Sequence, residues 1–261
     1  MMIAQELELA EDISPDVTFP PSDLYSDEPP VETELHLRQI ILLFQCLEWL
    51  WKDRTDFYAA GNLSIYYSPK QKKTEKLRGP DFFVVLGTER KTRKSWVVWE
   101  EDGKYPNVII EILSPSTANS DRVTKKELYQ NTFRTPDYFW FDPYTLEFVG
   151  FHLVDNQYQP LAANERGHLW SQQLGLFLGI HEGLLRYFTP EGELVPTPEE
   201  TASQEAKRAG IEAQRAEIEA QRAEIEAQRA EIEAQRAGIE AQRAERLAAK
   251  LRELNIDPDT I

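Results

Sequence analysis

Pro80-Asp-Phe-Phe-Val-Val-Leu86 and, about thirty residues further on, Asn107-Val-Ile-Ile-Glu-Ile-Leu-Ser114 are the two stretches that decide the fold. Each is a short run of apolar and β-branched residues; a proline opens the first, and Pro115 follows the second. Such runs are typical of buried β-strands. Each run also contains a carboxylate, Asp81 at the start of the first and Glu111 inside the second.

Two buried carboxylates on neighbouring strands need compensating charge. An isolated carboxylate at the edge of an apolar core is costly to desolvate, so cations or hydrogen-bond donors should lie close to it. Asp81 and Glu111 would also repel each other unless something positive lay between them. A divalent cation bound through oxygen ligands is the simplest candidate. The alternative is that both acids only cap strand ends or pair with nearby Lys or Arg side chains.

The segment after the second strand supplies a basic side chain. Residues 121–133 have helical spacing, and either Ser120 or Asp121 is a good residue to cap the start of a helix. Asp121, Lys125 and Tyr129 are four residues apart and therefore share one face. If that face lies against the sheet, Lys125 reaches the carboxylate pair. The alternative is an ordinary surface lysine, since Lys126 beside it must point elsewhere.

Four blocks of sequence together resemble the Uma-two family, whose members are described as restriction endonucleases within the PD-(D/E)xK nuclease superfamily. In chain order the blocks are Pro80-Asp81, Glu111-Ile-Leu-Ser-Pro-Ser-Thr117, the 121–129 segment, and Pro136-Asp-Tyr-Phe-Trp-Phe-Asp-Pro143. The resemblance covers roughly residues 30 to 190. The order and the spacing of the blocks make it specific.

The resemblance implies a nuclease site built from Asp81, Glu111 and Lys125. In one departure from the superfamily pattern, Leu113 stands where the lysine of E-x-K would be, and in Uma-two-like proteins that lysine lies in the following helix, which matches Lys125. Asp81, Glu111 and the backbone carbonyl of Ile112 would hold Mg²⁺ or Mn²⁺. The ion would activate a water for phosphodiester hydrolysis, and Lys125 would orient that water or stabilise the developing charge.

Two further residues are predicted beside this site. Glu34, or its neighbour Glu32, is a candidate outer carboxylate near the start of the first helix, although the helix dipole also favours acids in a first turn. Tyr129 is expected to pack and hydrogen-bond behind the site and not to act on the substrate.

The net charge of −16 is unevenly distributed. Residues 1 to 34 contain ten acids and no Lys or Arg, whereas residues 35 to 200 contain 19 basic and 22 acidic residues. Two basic loops flank the strand that begins near Asp81, and they are either DNA phosphate contacts or ordinary solvated hairpin loops. The candidate contact residues are Lys72, Lys73, Lys76, Arg78, Arg90, Lys91, Arg93 and Lys94.

Other classes of function find little support in the sequence. The single cysteine, Cys46, excludes an intramolecular disulfide, and the four histidines lack metal-ligand spacing, so no zinc site is expected. There is no Gly-rich phosphate loop. There is also no run of about eighteen apolar residues and no basic-then-apolar leader, so we expect a soluble cytoplasmic protein without a membrane partner.

The chain is predicted to comprise an acidic, proline-containing leader (1–30), a nuclease-like domain (31–190), a linker (191–203), a long helix (204–254) and a tail (255–261). Within the domain, a packed helix from residue 35 to 51 precedes strand-like runs at 57–67, 81–86, 95–100 and 108–113. The 122–133 helix and an aromatic strand at 138–141 follow. That order predicts an α/β (α+β) fold, a restriction-endonuclease-like mixed β-sheet flanked by helices.

The long helix carries a near-perfect Ile-Glu-Ala-Gln-Arg-Ala-Glu repeat from Ile211 to Glu245. With Ile at heptad position a, Gln falls at d, Arg at e and Glu at g, which permits interchain Glu–Arg pairs but leaves a half-polar seam. The strict period favours a coiled coil and a homo-oligomer, a dimer or higher, with the nuclease domain as a second candidate interface. A single solvated helix held by pairs such as Glu219 and Arg222 is the alternative.

The sequence therefore predicts a divalent-metal-dependent endonuclease that acts on DNA and is joined to an oligomerising helix. The alternative from another class is a catalytically silent nuclease fold that binds DNA or protein and assembles through its coiled coil.

Overall fold

A computed structural model describes residues 33–67, 77–114 and 121–255 of the chain. The acidic leader, all but the first residue of the tail, and the predicted DNA contacts Lys72, Lys73 and Lys76 lie outside the described residues. The chain divides into two compact units, residues 1–198 and residues 199–261.

The first unit is a mixed α+β structure. Its helices are α1 (Glu34–Leu50) and α2, a helical segment made of three successive turns (Asp121–Lys125, Lys126–Leu128 and Tyr129–Phe133). Its strands are β1 (Phe57–Gly61), β2 (Ile65–Tyr66), β3 (Leu77–Arg78), β4 (Phe82–Leu86), β5 (Trp96–Val97), β6 (Val108–Ile112), β7 (Asp137–Phe141), β8 (Phe148–Val154), β9 (Gln157–Pro160), β10 (Leu169–Ser171), β11 (Leu176–His181) and β12 (Leu184–Phe188).

A six-stranded sheet in the order β1-β4-β6-β7-β8-β9 forms the centre of this unit. Only the β6–β7 pair is parallel, and the other neighbours in the sheet are antiparallel. Two smaller sheets, β10-β11-β12 and β3-β2-β5, complete the described strands. This arrangement confirms the predicted mixed sheet with flanking helices.

Both faces of the central sheet are covered, which explains why its strands are nearly continuous apolar runs. Alternate residues of β4 point to opposite faces, as strand geometry requires. Phe82 lies in the core beneath α1 and the β10–β12 sheet, whereas Phe83 lies in an aromatic core beside α2. Leu43 of α1 and Tyr129 of α2 are among the largest fully buried side chains of the two cores.

A turn interrupts the extended chain after β1, where the chain approaches the end of β4 next to Asp81. Asn62 adopts a left-handed conformation with φ 47°, which asparagine tolerates better than most residues. Its backbone N–H donates to the carbonyl of Asp81 at 3.0 Å. The strand predicted over 57–67 is therefore two strands, β1 and β2, separated by this turn.

The α2 segment is less regular than the helix predicted over 122–133. Its first and last turns are π-helical, and it ends where Arg134 adopts φ 53°. Wide turns of this kind are uncommon and are frequently found at functional sites. Here they leave Tyr129 and Phe133 buried against the sheet.

The predicted strand over 95–100 is also shorter in the structure. Only Trp96–Val97 pairs as a strand, and Val98–Glu100 forms a single 3-10 turn. The Trp96 indole donates to the carbonyl of Lys104 at 2.8 Å, which fixes the chain as it turns away from the sheet.

Within its described residues, the second unit contains one helix, α3, which begins at the boundary between the units (Pro198–Glu253). This helix is 56 residues long and has no buried residue. The helix begins at Pro198 rather than at 204, so the linker is shorter than predicted. Proline is well suited to the first position of a helix. Glu199 and Glu200 lie in the first turn, where the positive end of the helix dipole stabilises their negative charge. Within the described residues, no helix is long and apolar enough to cross a membrane.

Candidate active site

The pairing of β4 with β6 brings the two predicted acids to the same end of the sheet. Phe82 pairs with Ile110, so the next step of the antiparallel register sets Asp81 opposite Glu111. The backbone N–H of Ile112 donates to Asp81 Oδ2 at 2.7 Å. Asp81 is therefore held at the carboxyl end of β6, beside the residue predicted as a backbone metal ligand.

Glu111 is completely buried, and α2 provides donors to both of its carboxylate oxygens. Lys125 Nζ lies 2.9 Å from Oε2, and the Tyr129 hydroxyl donates to Oε1 at 2.5 Å. Asp81, Glu111, Lys125 and Tyr129 thus converge in one cluster, as their spacing predicted, while their catalytic roles remain predictions.

His36 is a further member of the cluster that the sequence analysis did not identify. Its Nε2 lies 3.0 Å from Asp81 Oδ1, and the residue is buried. Thr33 caps α1 by accepting a hydrogen bond from the His36 backbone N–H. The signal was the helical period, because His36 shares a face with Ile40 and Leu43, which pack in the core.

The environment of Asp81 favours its ionised form. Burial pushes the pKa of this carboxyl upwards, but the neighbouring His36 imidazole, the charge of Lys125 and the carboxyl group of Glu111 outweigh it, so the pKa is lowered. Burial and the negative charge of Glu111 raise the pKa of Tyr129 well above its usual value. Tyr129 therefore remains a neutral hydrogen-bond donor to Glu111.

The carboxylate oxygens of this cluster are suitable ligands for a hard divalent cation. Two carboxylates are the usual protein contribution to a Mg²⁺ site, and waters supply the remaining ligands. Each carboxylate oxygen has two lone pairs, so an oxygen that accepts one hydrogen bond can also bind a cation. In the described part of the chain, no group of three or more His, Cys, Asp or Glu side chains is arranged to hold a metal ion. The Ile112 carbonyl and water would therefore have to complete the coordination.

Arg78 is the described basic residue that precedes the cluster most closely in sequence. It ends β3, three residues before Asp81, on the short sheet formed with β2. Its Nε atom is buried and has no hydrogen-bond partner among the described residues. A buried atom is not exposed to a ligand in solvent, so the DNA contact predicted for Arg78 stays a prediction.

The second basic loop, residues 90–94, lies at the opposite end of β4, and its arginines make contacts within the fold. A five-residue strand separates it from Asp81, a distance of about 17 Å at roughly 3.3 Å per residue. Arg93 pairs with Glu101, packs over Tyr58 and Trp96, and leaves only 5% of its side chain exposed. Its planar guanidinium suits such stacking, so the predicted phosphate contact by Arg93 is wrong.

The other residues of this loop have partners as well. Arg90 forms an ion pair with Glu48 of α1 and donates to backbone carbonyls of residues 52 and 54. Arg90 therefore connects the loop to α1 instead of making the predicted DNA contact. Lys91 is exposed and lies 3.4 Å from Glu89, and Lys94 is also partnered. Lys91 and Lys94 remain predicted DNA contacts.

Glu34 does not extend the carboxylate cluster. Its Oε1 accepts from Arg38 Nε at 2.7 Å on an exposed face of α1. The prediction of an outer carboxylate at this position is wrong, because the helix turns Glu34 to solvent and turns His36 to the site. The alternative reading of a first-turn acid agrees with this placement.

A third buried carboxylate lies on the strand next to β6, but at the other end of the sheet. Asp137 begins β7 and is completely buried. Its Oδ1 lies 2.6 Å from His152 Nδ1, and its Oδ2 accepts from the Ser171 hydroxyl at 2.6 Å and from the Gln173 backbone N–H at 2.9 Å. Ser171 donates to the carboxylate and not to the imidazole, so these residues do not form a nucleophile–base pair.

Comparison with known proteins places this geometry in context. A family model described as "Putative restriction endonuclease", Uma2, matches residues 11–204. No curated protein matches the sequence. Among solved structures, the chain is similar to a crystal structure described as a putative nuclease belonging to DUF820 from Anabaena variabilis ATCC 29413. The identity is 15% and the TM-score 0.41, over 56% of this chain and 76% of that chain.

Proposed function

Since the chain belongs to the Uma2 family, whose model is described as "Putative restriction endonuclease", we propose that it is a divalent-metal-dependent endonuclease that hydrolyses DNA phosphodiester bonds. One observation carries this function. Two acids on adjacent strands meet an amine from the next helix, with Lys125 Nζ 2.9 Å from Glu111 and Asp81 beside it across the ladder. Such an Asp–Glu–Lys cluster suits the hydrolysis of a charged ester.

Hydrolysis of a phosphodiester requires a water made nucleophilic and stabilisation of the negative charge that develops on the phosphoryl oxygens. Mg²⁺ or Mn²⁺ bound by Asp81, Glu111 and the Ile112 carbonyl would supply Lewis acidity and lower the pKa of a bound water. Lys125 brings a positive charge to the same place, where it orients the attacking water or stabilises the charged phosphorane.

The surrounding residues keep this cluster in one arrangement. Tyr129 donates to Glu111, and the Ile112 N–H donates to Asp81, so each carboxylate has a fixed rotamer. His36 contacts the remaining oxygen of Asp81 from the opposite side of the sheet. Fixed orientation of charged groups is what distinguishes a preorganised site from water as a solvent. Arg78, three residues before Asp81, is the described candidate DNA contact that lies nearest to this cluster in sequence.

A plasmid assay tests this function directly. Purified protein with Mg²⁺ or Mn²⁺ should convert supercoiled plasmid into nicked or linear forms, and a chelator should stop the reaction. Asp81→Asn should abolish conversion while the far-ultraviolet circular dichroism remains that of the parent. Absence of conversion by the parent with either ion, or full conversion by Asp81→Asn, would overturn the proposal.

A second candidate function has its own supporting observation. Lys125 and Tyr129 already satisfy both oxygens of Glu111, so the cluster also works as an internal ion pair that stabilises the fold. A catalytically silent domain of this kind would bind DNA or protein without cleaving it. Salt-sensitive DNA binding with no conversion of plasmid at any ion concentration would favour that function.

A further inference from the structure

The isoleucines of α3 form an apolar stripe that has no partner within the described chain. Ile211, Ile218, Ile225, Ile232 and Ile239 are each between 50% and 64% exposed. Isoleucine is a poorer helix former than the alanine and glutamate around it, so helix propensity alone does not account for it. A stripe of large apolar side chains at a fixed seven-residue interval is instead the pattern of a helix that packs on another helix.

Charge on the two sides of the stripe identifies a suitable partner. With the isoleucines at position a, the g positions carry Glu217, Glu224 and Glu231, and the e positions five residues later carry Arg222, Arg229 and Arg236. One flank of the stripe is therefore acidic and the other basic over three consecutive repeats. The surface is complementary to a second copy of itself.

Complementarity also determines the relative direction of the two copies. In a parallel pair each g residue faces an e residue of the partner, which gives Glu–Arg contacts on both sides of the seam. In an antiparallel pair g faces g and e faces e, which gives Glu–Glu and Arg–Arg contacts along the same length. Like charges held opposite one another destabilise a coiled coil, so only the parallel arrangement is favoured by this sequence.

We propose that α3 pairs in parallel with α3 of a second copy of this chain, with the five isoleucines in the seam and Glu217, Glu224 and Glu231 facing the partner's Arg222, the partner's Arg229 and the partner's Arg236. The glutamines at position d face each other across the seam and can form hydrogen bonds there. Both copies of the first unit are then attached at the same end of the paired helix. This inference goes beyond the proposed nuclease function and does not depend on it.

Cysteine crosslinking of the full chain tests the direction of pairing. Gln214→Cys and Gln235→Cys change two d positions that are 21 residues, or about 32 Å of helix, apart. A parallel pair in register brings each new cysteine to its own counterpart, so both variants should form disulfide-linked dimers under mild oxidation. An antiparallel pair can do this at one position at most, and a single helix at neither. Either of those results would overturn the proposal.

Two controls accompany the crosslinking. Ala223→Cys puts the thiol at position f, on the side of α3 away from the isoleucines, and should remain monomeric on a denaturing gel. The parent protein reports on Cys46, which is buried and should not crosslink. Crosslinking of Ala223→Cys as complete as that of the two d variants would mean random collision and would count against the pairing.

Charge exchange tests the Glu–Arg contacts separately. One variant combines Glu217→Lys, Glu224→Lys and Glu231→Lys, and the other combines Arg222→Glu, Arg229→Glu and Arg236→Glu. Each alone should sediment near the 30.2 kDa chain mass, whereas the parent and a mixture of the two variants should sediment at twice that mass. Dimers for both variants alone, or monomers in the mixture, would overturn the assigned contacts. Plasmid cleavage is not part of either readout, so failure here is distinct from failure of the nuclease function.

Discussion

Glu111 and Asp137 are both completely buried carboxylates on adjacent strands, yet they are held in different ways. Asp137 is alone and receives donors from three places, His152 on β8, the Ser171 hydroxyl on β10 and the Gln173 backbone. Glu111 receives its donors from a single helix and lies next to a second acid, Asp81.

The difference separates a structural acid from a candidate catalytic one. The donors of Asp137 join the central sheet to the β10–β12 sheet, so its charge serves to connect two parts of the fold. Asp81 and Glu111, by contrast, lie side by side, and Lys125 and His36 supply the compensating contacts that buried acids need. Such a cluster of ionisable groups at one edge of a sheet is better explained by a ligand or a reaction than by stability alone.

The largest effect is expected for Glu111→Gln. This change keeps the shape of the side chain but removes the charge that Lys125 and a metal ion require, so the initial rate of plasmid nicking should fall by at least about 100-fold. The rate is measured at saturating Mg²⁺ with equal concentrations of folded protein. A rate within a few-fold of the parent would mean that Glu111, like Asp137, is a structural acid.

The two adjacent lysines of α2 provide a matched pair for the next test. Lys125→Met removes the amine on Glu111 and should lower the nicking rate about 100-fold. Lys126→Met is the control, because the Lys126 ammonium lies 3.7 Å from the ring centroid of Phe151 and does not contact the acids. Equal losses in the two variants would show that α2 packing, and not the amine at 125, is what the reaction needs.

A smaller effect is expected for His36→Asn, because His36 contacts Asp81 and not the reacting groups. Loss of a group that orients a metal-binding carboxylate typically costs about 10- to 100-fold in metal affinity or activity. The half-saturating Mg²⁺ concentration for nicking should therefore rise, while the rate at high Mg²⁺ recovers. An unchanged Mg²⁺ dependence would place His36 among the structural residues.

The smallest effect on nicking is expected for Asp137→Asn. The amide is neutral and has a single acceptor oxygen, so it cannot replace the charged carboxylate in all three contacts. The free energy of unfolding should therefore fall by about 1.5–3 kcal/mol. Chemical denaturation monitored by circular dichroism measures that loss. The nicking rate per folded molecule should stay within about twofold of the parent; a selective loss of activity in a stable variant would contradict the assignment of Asp137 to structure.

The candidate site could be predicted from sequence where neighbouring residues determine it. The two strand-like runs and the helical spacing of Lys125 and Tyr129 are local signals. The register of β4 on β6 is not, because both strands are apolar on both faces and show no alternation that would fix it. The family resemblance noted from four short blocks is confirmed by the match over residues 11–204.

What the sequence analysis missed depends on contacts between distant segments. His36 reaches Asp81 only because α1 packs across the sheet, and nothing in the spacing of 45 residues indicates that contact. Arg93 looked available to DNA, but a glutamate eight residues later and two aromatic rings occupy it. Charge in a loop was visible in the sequence, whereas the partner of each charge was not.

The near-identity of the repeats in α3 has a consequence for how two such helices would align. Residues 211–217, 218–224 and 225–231 have the same sequence. Shifting one helix by seven residues along its partner would therefore recreate almost every contact. Interruptions must therefore select the correct alignment. Gly210 and Gly238 replace glutamate at two g positions, and Leu247, Leu251 and Leu254 depart from the isoleucine interval. The irregular C-terminal end would thus prevent one helix from slipping by a repeat along the other.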